Sequence, residues 1–117
     1  METIYLLRNT KNGKVYVGRT SKFEERKKLH INNLRANRHP NKMLQEDFDK
    51  YGEKAFVFQA VFETEINLAN THLEQAFMVA LKTYDDDYGY NRKDPYFFNS
   101  GKPTKNYTEL MEQQLKN

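Results

Sequence analysis

The chain has 117 residues, 38% of them hydrophobic and 14% aromatic, with no Trp and no Cys. That size suits one domain with a modest core built largely from eight Tyr and eight Phe. The lack of Cys excludes disulfides, thiolate catalysis and thiolate-held zinc. No apolar run approaches membrane-spanning length and no signal peptide is evident, so a soluble, intracellular protein is expected.

The net charge of +3 is unevenly placed. Residues 1–50 hold twelve Lys/Arg and six Asp/Glu, whereas residues 51–117 hold seven and ten. A basic first half suits a polyanion such as nucleic acid, and it also suits an ordinary lysine-rich surface.

In chain order, Thr3 to Arg8 and Lys14 to Arg19 read as two strands separated by Asn12-Gly13, a type I′ hairpin signal. A two-residue loop would set Asn9 opposite Tyr16 and Leu7 opposite Gly18. Tyr5, Leu7, Tyr16 and Gly18 then share one face. Ile4, Leu6, Val15 and Val17 share the other, which is expected to be the face buried against helices. Ser21 and Glu24 form a capping-box pattern, so a helix should start there and run to about Arg35. A second helix begins around Pro40-Asn41, carries Leu44, Phe48 and Tyr51 as its stripe, and stops at Gly52. Ala55 to Phe62 reads as a third strand. Asn67 to Lys82 reads as a third helix, with Ile66, Leu73, Phe77 and Ala80 on its apolar side. An acidic turn then leads to Gly89-Tyr90-Asn91. The order β-β-α-α-β-α predicts an α+β domain with a small antiparallel sheet flanked by helices. Beyond it lie an aromatic patch (Tyr96, Phe97, Phe98) and a short helix from Tyr107 to Lys116.

The informative residues are polar ones at positions where the pattern wants apolar ones. With Phe23, Ile31 and Leu34 marking the inward stripe of the first helix, His30 falls roughly 20° and Arg26 roughly 60° from Phe23. Either the two pair structurally or they line a polar site, because a buried Arg without a partner is costly. Glu74 sits beside Phe77, Met78 and Leu81 and reads either as an ion-pair partner or as a ligand for a hard cation. Tyr5 and Tyr16 could be plain strand residues. Gly18 between them suggests close approach by a ligand or by another part of the chain. His30, His39 and His72 share no zinc-binding spacing.

Taken together, these positions resemble the GIY-YIG nuclease superfamily. Ile4-Tyr5 and Tyr16-Val17-Gly18 stand for the two halves of the name, with Asn9 and Asn12-Gly13-Lys14 between them. Phe23, Arg26 and His30 follow, then Arg38-His39, Leu44-Gln45, Phe48, Tyr51-Gly52, Leu73-Glu74 and Gly89-Tyr90-Asn91. Thr3 stands where the first Gly is usual, and Arg19 where a small residue is common. The likeness is strongest to the catalytic domain of phage intron-encoded homing endonucleases. It implies a three-stranded sheet and a nuclease domain over residues 1–91. The 92–117 extension lies outside the likeness and, from its own aromatic and leucine residues, is expected to pack back on the domain or to mediate a homodimer or partner contact. The likeness also implies metal-dependent cleavage of DNA, which we expect to have low sequence specificity. Tyr5, Tyr16, Arg26, His30 and Glu74 would be catalytic, with Glu74 holding one Mg²⁺ or Mn²⁺. Gly18, His39, Asn91, Lys14, Arg19, Lys27 and Arg38 would serve substrate binding. The alternative is a catalytically silent nucleic-acid-binding or regulatory module of the same fold.

Overall fold

The computed structural model describes residues 1–68 and 72–91. Strand β1 (Glu2–Asn9) is flanked on one side by β2 (Val15–Thr20) and on the other by β3 (Phe56–Thr64), in an antiparallel sheet of order β2-β1-β3. Helices α1 (Phe23–Arg35) and α2 (Lys42–Tyr51) follow β2, and α3 (Leu73–Leu81) follows β3. The expected α+β order is therefore observed.

The hairpin corrects one expectation. Tyr5 lies opposite Gly18 and Leu7 opposite Tyr16, a register displaced by two from that of a two-residue loop. Asn9 N–H donates to the Lys14 carbonyl and Gly13 N–H to the Asn9 carbonyl, while the Asn9 and Asn12 side chains accept from Lys11 N and Lys14 N. Those side-chain bonds stabilise a longer loop, in which Gly13 (φ +77°) takes the left-handed conformation and Asn12 does not. Because the displacement is even, the assignment of residues to faces survives.

Both faces of the sheet are covered, where the sequence singled out one. On the first, Ile4 and Val17 are buried with Leu68 and Met78, and Leu6, Val15, Leu73 and Phe77 pack around them. On the second, Leu7 joins Leu34 of α1, Leu44 of α2 and Tyr90, with Tyr16, Phe48, Phe56 and Phe58 alongside. This placement of β1 between two apolar layers is why its central residues, Ile4, Tyr5 and Leu7, are all inaccessible.

The helix starts differ in kind. The expected capping box at Ser21 does not form: the N-cap is Lys22, without a side-chain bond, and Thr20 Oγ1 accepts from Lys22 N instead. At α2 the Asn41 side chain accepts from Leu44 N, a standard N-cap, and Gly52 (φ +86°) ends the helix. Helix α3 is shorter than its pattern implied. Ile66 precedes it at 68% exposure and Ala80 faces outward, so Leu73, Phe77 and Met78 form the stripe that packs. The aromatic patch and short helix expected in 92–117 lie outside the described residues. Among the described residues no helix is long and apolar enough to cross a membrane.

The segment after α3 closes back on β2. Val15 bridges Gly89, and the Asn91 side chain accepts from Val17 N at 2.8 Å and donates to Val17 O at 2.9 Å. It thereby satisfies both main-chain groups of a residue between Tyr16 and Gly18. Replacing Asn91 by Ala should lower the unfolding free energy by about 2–3 kcal/mol, since two buried main-chain groups lose their partner. Urea denaturation should show a lower midpoint with an unchanged slope.

Candidate active site

Four elements converge on one polar cluster. β1 supplies Tyr5, β2 supplies Tyr16 and Gly18, α1 supplies Arg26 and His30, and α3 supplies Glu74. Tyr5 and Tyr16 share a sheet face, with ring centroids 6.3 Å apart. The His30 ring stands edge-on to both, at 5.8 Å from Tyr5 and 5.6 Å from Tyr16. Gly18 sits directly under Tyr5, and a Cβ there would overlap the phenol ring. The space that Gly18 opens is thus filled by Tyr5 rather than left for a ligand.

A hydrogen-bond chain runs inward from Tyr5. Tyr5 Oη lies 2.8 Å from His30 Nε2, and His30 Nδ1 lies 2.8 Å from His39 Nε2. His39 Nδ1 accepts from the main-chain N–H of Asn41 at 3.0 Å. A main-chain N–H can only donate, and this fixes the direction of the whole chain when both imidazoles are neutral. His39 Nδ1 is the lone-pair nitrogen, so its Nε2–H donates to His30 Nδ1. His30 Nε2–H then donates to Tyr5 Oη, and the Tyr5 hydroxyl hydrogen is directed elsewhere. Both nitrogens of His39 are engaged within the protein, so this expected substrate contact has none left for a phosphate.

Burial governs the electrostatics. The Tyr5 phenol is 1% exposed, and burial pushes its pKa far above the usual tyrosine range, with Tyr16 adding to the rise and Arg26 opposing it. Tyr16 is raised by burial and then by the Glu74 charge, again against Arg26. Glu74 is raised by burial, while Arg19 and then Arg26 pull it down. His30 is pushed down to about 4 by burial, then by His39 and Arg26. Burial also lowers His39. These mutual influences put Tyr5, Tyr16, Arg26 and Glu74 in one neighbourhood. Arg26 itself is exposed rather than tucked beside the inward stripe.

The remaining expected contacts divide. Arg19 and Arg26 line an open cleft of ≈ 610 Å³ together with Glu2, Thr20 and Ser21. Lys27 Nζ lies over the Phe58 ring, Arg38 approaches Asn33 at 3.4 Å, and Lys14 sits in the hairpin loop. Asn91 is turned inward onto Val17. Among the described residues no group of three or more His, Cys, Asp or Glu side chains is assembled as a metal cage. The partly exposed carboxylate of Glu74 nonetheless fits a hard cation that takes its other oxygens from water and a substrate phosphate.

Pattern reading missed Asn41, Gln45 and Glu2 as parts of this site. Asn41 and Gln45 hold His39, the latter by accepting from His39 N at 3.0 Å while donating to the Leu34 carbonyl at 2.9 Å. The only available signals were a helix-start residue at Asn41 and a polar residue beside Leu44.

Comparison with known proteins then gives a consistent picture. A family model of the GIY-YIG catalytic domain matches residues 1–91. Intron-associated endonuclease 1 of Enterobacteria phage T4 is 41% identical over 63 residues, 54% of this chain and 24% of that protein. The chain therefore spans about a quarter of the length of the curated relative it matches. Among solved structures, the catalytic domain of homing endonuclease I-TevI superposes with a TM-score of 0.68 at 28% identity, over 78% of this chain and 99% of that one. A mutant of the same catalytic domain gives 0.70 at 31% identity, over 80% and 96%.

Two outcomes follow from this geometry. Gly18→Ala should displace the Tyr5 ring and destabilise the domain by about 1–3 kcal/mol, read in urea denaturation. The second concerns pH. His30 is held at about 4 in the fold against its ordinary 6.5, so between these values the unfolded chain binds the extra proton. The stabilisation, of the order of 3 kcal/mol, is complete above the unfolded value and is lost as pH falls from there toward 4. Unfolding free energies measured at about pH 7 and about pH 5 should therefore differ less in His30→Gln than in the wild type.

Proposed function

We propose that this chain, which belongs to the GIY-YIG family of catalytic domains, hydrolyses phosphodiester bonds in DNA at the cluster of Tyr5, Tyr16, Arg26, His30 and Glu74. The observation that carries the reading is geometric: two phenols with ring centroids 6.3 Å apart, the His30 ring edge-on to both, and Arg26 and Arg19 on an open cleft, with Arg19 3.9 Å from the Glu74 carboxylate. Phosphodiester hydrolysis needs a positioned water, a cationic group for the charge growing on phosphate, and help for the leaving oxygen. Arg26, exposed at the cleft, supplies the second by charge-assisted hydrogen bonds.

Tyr16 is the less buried phenol, and we assign it the attacking water, which the phenol orients and from which its phenolate form takes the proton onto Oη. Tyr5 backs it from beneath, held by the His30 N–H. His30 and His39 act by fixing Tyr5 rather than by touching phosphate. Gly18 and Asn91 act by setting the position of β2. Glu74 would hold one Mg²⁺ or Mn²⁺, which when bound would offset the carboxylate charge that, after burial, raises the Tyr16 phenol, and would help the leaving oxygen. Lys14, Arg19, Lys27 and Arg38 would follow the phosphate backbone, a salt-sensitive contact that carries no base information and so supports low sequence specificity. Likeness to a phage protein points to action in the cytoplasm of a bacterial or phage-infected cell.

The test is nicking of supercoiled plasmid. Wild type with Mg²⁺ or Mn²⁺ should yield relaxed or linear DNA, and EDTA should stop it. Glu74→Ala and Arg26→Ala should each lose on the order of 10²-fold or more in rate. A wild type that binds DNA, with or without EDTA, but leaves it intact in either metal would replace this reading with that of a silent binding module.

A further inference from the structure

Arg19 stands between two carboxylates. Its Nη1 lies 3.1 Å from Glu2 Oε1, and its Nε lies 3.9 Å from Glu74 Oε1. Glu2 is firmly placed: it sits on the central strand, its side chain is 12% exposed, and the same Oε1 accepts from Leu68 N. Arg19 and Glu74 are looser, each about one third exposed at 33% and 32%. Guanidinium and carboxylate thus make one short contact on the buried side and one long contact on the open side.

The charges add up in a way that matters for cation binding. Glu74 has two guanidinium neighbours, Arg19 and Arg26, and Arg19 is shared with Glu2. These two guanidinium and two carboxylate groups balance one another in formal charge, and Glu65 also lines the cleft. A divalent cation arriving at Glu74 meets a carboxylate that already has a counter-ion, and a second full positive charge beside it. A phosphate entering the cleft changes this, because Arg19 and Arg26 both line that cleft. The phosphate offers Arg19 a bidentate partner better matched than the 3.9 Å contact to Glu74, and it brings negative charge that favours a cation.

We propose that Arg19 is a built-in counter-ion of Glu74, anchored by Glu2, that disfavours divalent-cation binding until a DNA phosphate draws the guanidinium away. The inference rests on the reading of Glu74 as the cation's ligand. It makes cation binding follow DNA binding, so the site is completed only on substrate.

The experiment is Mn²⁺ titration of the full chain by calorimetry, without DNA, for wild type, Arg19→Gln, Arg19→Lys, Glu2→Gln and Glu74→Gln. Circular dichroism melts confirm that each variant is folded. Arg19→Gln should bind Mn²⁺ about tenfold more tightly than wild type, because one nearby positive charge is removed. Arg19→Lys, which keeps the charge, should stay within about threefold of wild type. Glu2→Gln should weaken binding, since it leaves the cluster more positive and frees Arg19 to close on Glu74. Glu74→Gln should remove the signal in every background. In EDTA, Arg19→Gln should also lower the slope of log affinity for duplex DNA against log salt by about one.

Equal Mn²⁺ affinity in wild type and Arg19→Gln, with Glu74-dependent binding in both, would overturn the proposal and leave the metal reading standing. Mn²⁺ binding that never depends on Glu74 would overturn both. Loss of binding in Glu2→Gln as complete as in Glu74→Gln would make Glu2 a ligand and remove the role assigned to Arg19. An unchanged salt slope would overturn the transfer of Arg19 to phosphate.

Discussion

Asn41 is the joint on which the site depends. Its main-chain N–H donates to His39 Nδ1, its main-chain carbonyl accepts from Gln45 N, its Oδ1 accepts from Leu44 N, and its Nδ2 donates to the Tyr90 carbonyl. One buried residue thus closes the first turn of α2, holds the segment before Asn91, and sets the direction of the chain from His39 to Tyr5. Each of these groups would be costly to leave unpaired in the interior, so none can be reoriented without loss elsewhere. The Tyr90 carbonyl leads directly to Asn91, which grips Val17. Through these bonds α2 is tied to β2, the strand that carries Tyr16 beside Tyr5 and His30.

Such a site resembles a layered core more than a surface patch. Tyr5, His30 and His39 are buried behind Tyr16, among Phe23 and Phe58, whose rings lie 5.8 Å from Tyr5 and 5.9 Å from His30. The apolar surroundings keep both imidazoles neutral, and only neutral imidazoles can pass a single hydrogen-bond direction from Asn41 to Tyr5. The chain ends on an amide that does not exchange its role, so it serves to hold Tyr5 rather than to carry a proton away.

Local pattern made some of this legible and left the rest hidden, for identifiable reasons. The alternation along β1 and β2 gave the correct facial grouping of Tyr5 and Tyr16, because a register error of two preserves parity. It could not give the register, since that was decided by the Asn9 and Asn12 side chains bonding within the loop. Helical spacing brought His30 inward correctly. It misplaced Arg26, because a long side chain can stay exposed at its residue and still influence a buried phenol. The capping box at Ser21 failed because the helix begins one residue later, at Phe23 with Lys22 as its N-cap, which leaves Ser21 outside the cap position. The ordered motifs over residues 4–91 pointed to the family. The Asn41–His39 contact, the Asn91–Val17 clamp and the Glu2–Arg19–Glu74 row were not legible, since each joins residues by tertiary geometry or by a main-chain group that no side-chain pattern encodes.

The sheet explains why the two halves of the site meet where they do. Glu2, Ile4, Val17 and Arg19 belong to the face that packs on α3, whereas Tyr5, Tyr16 and Gly18 belong to the face that packs on α1 and α2. A carboxylate on α3 and a guanidinium on α1 would ordinarily be separated by the full thickness of the sheet, yet Tyr16 is influenced by both Glu74 and Arg26. Both reach its neighbourhood because β2 is an edge strand, so side chains from either face can extend past its free edge. The conformation of β2 at Gly18-Arg19 therefore matters more than its hydrophobic content. Gly18 allows Tyr5 to close down on one face, while Arg19, the next residue, turns to the other and meets the carboxylates. Alternation along two adjacent residues of an edge strand is enough to set Tyr5 and the Glu2–Arg19–Glu74 row on opposite faces of the sheet.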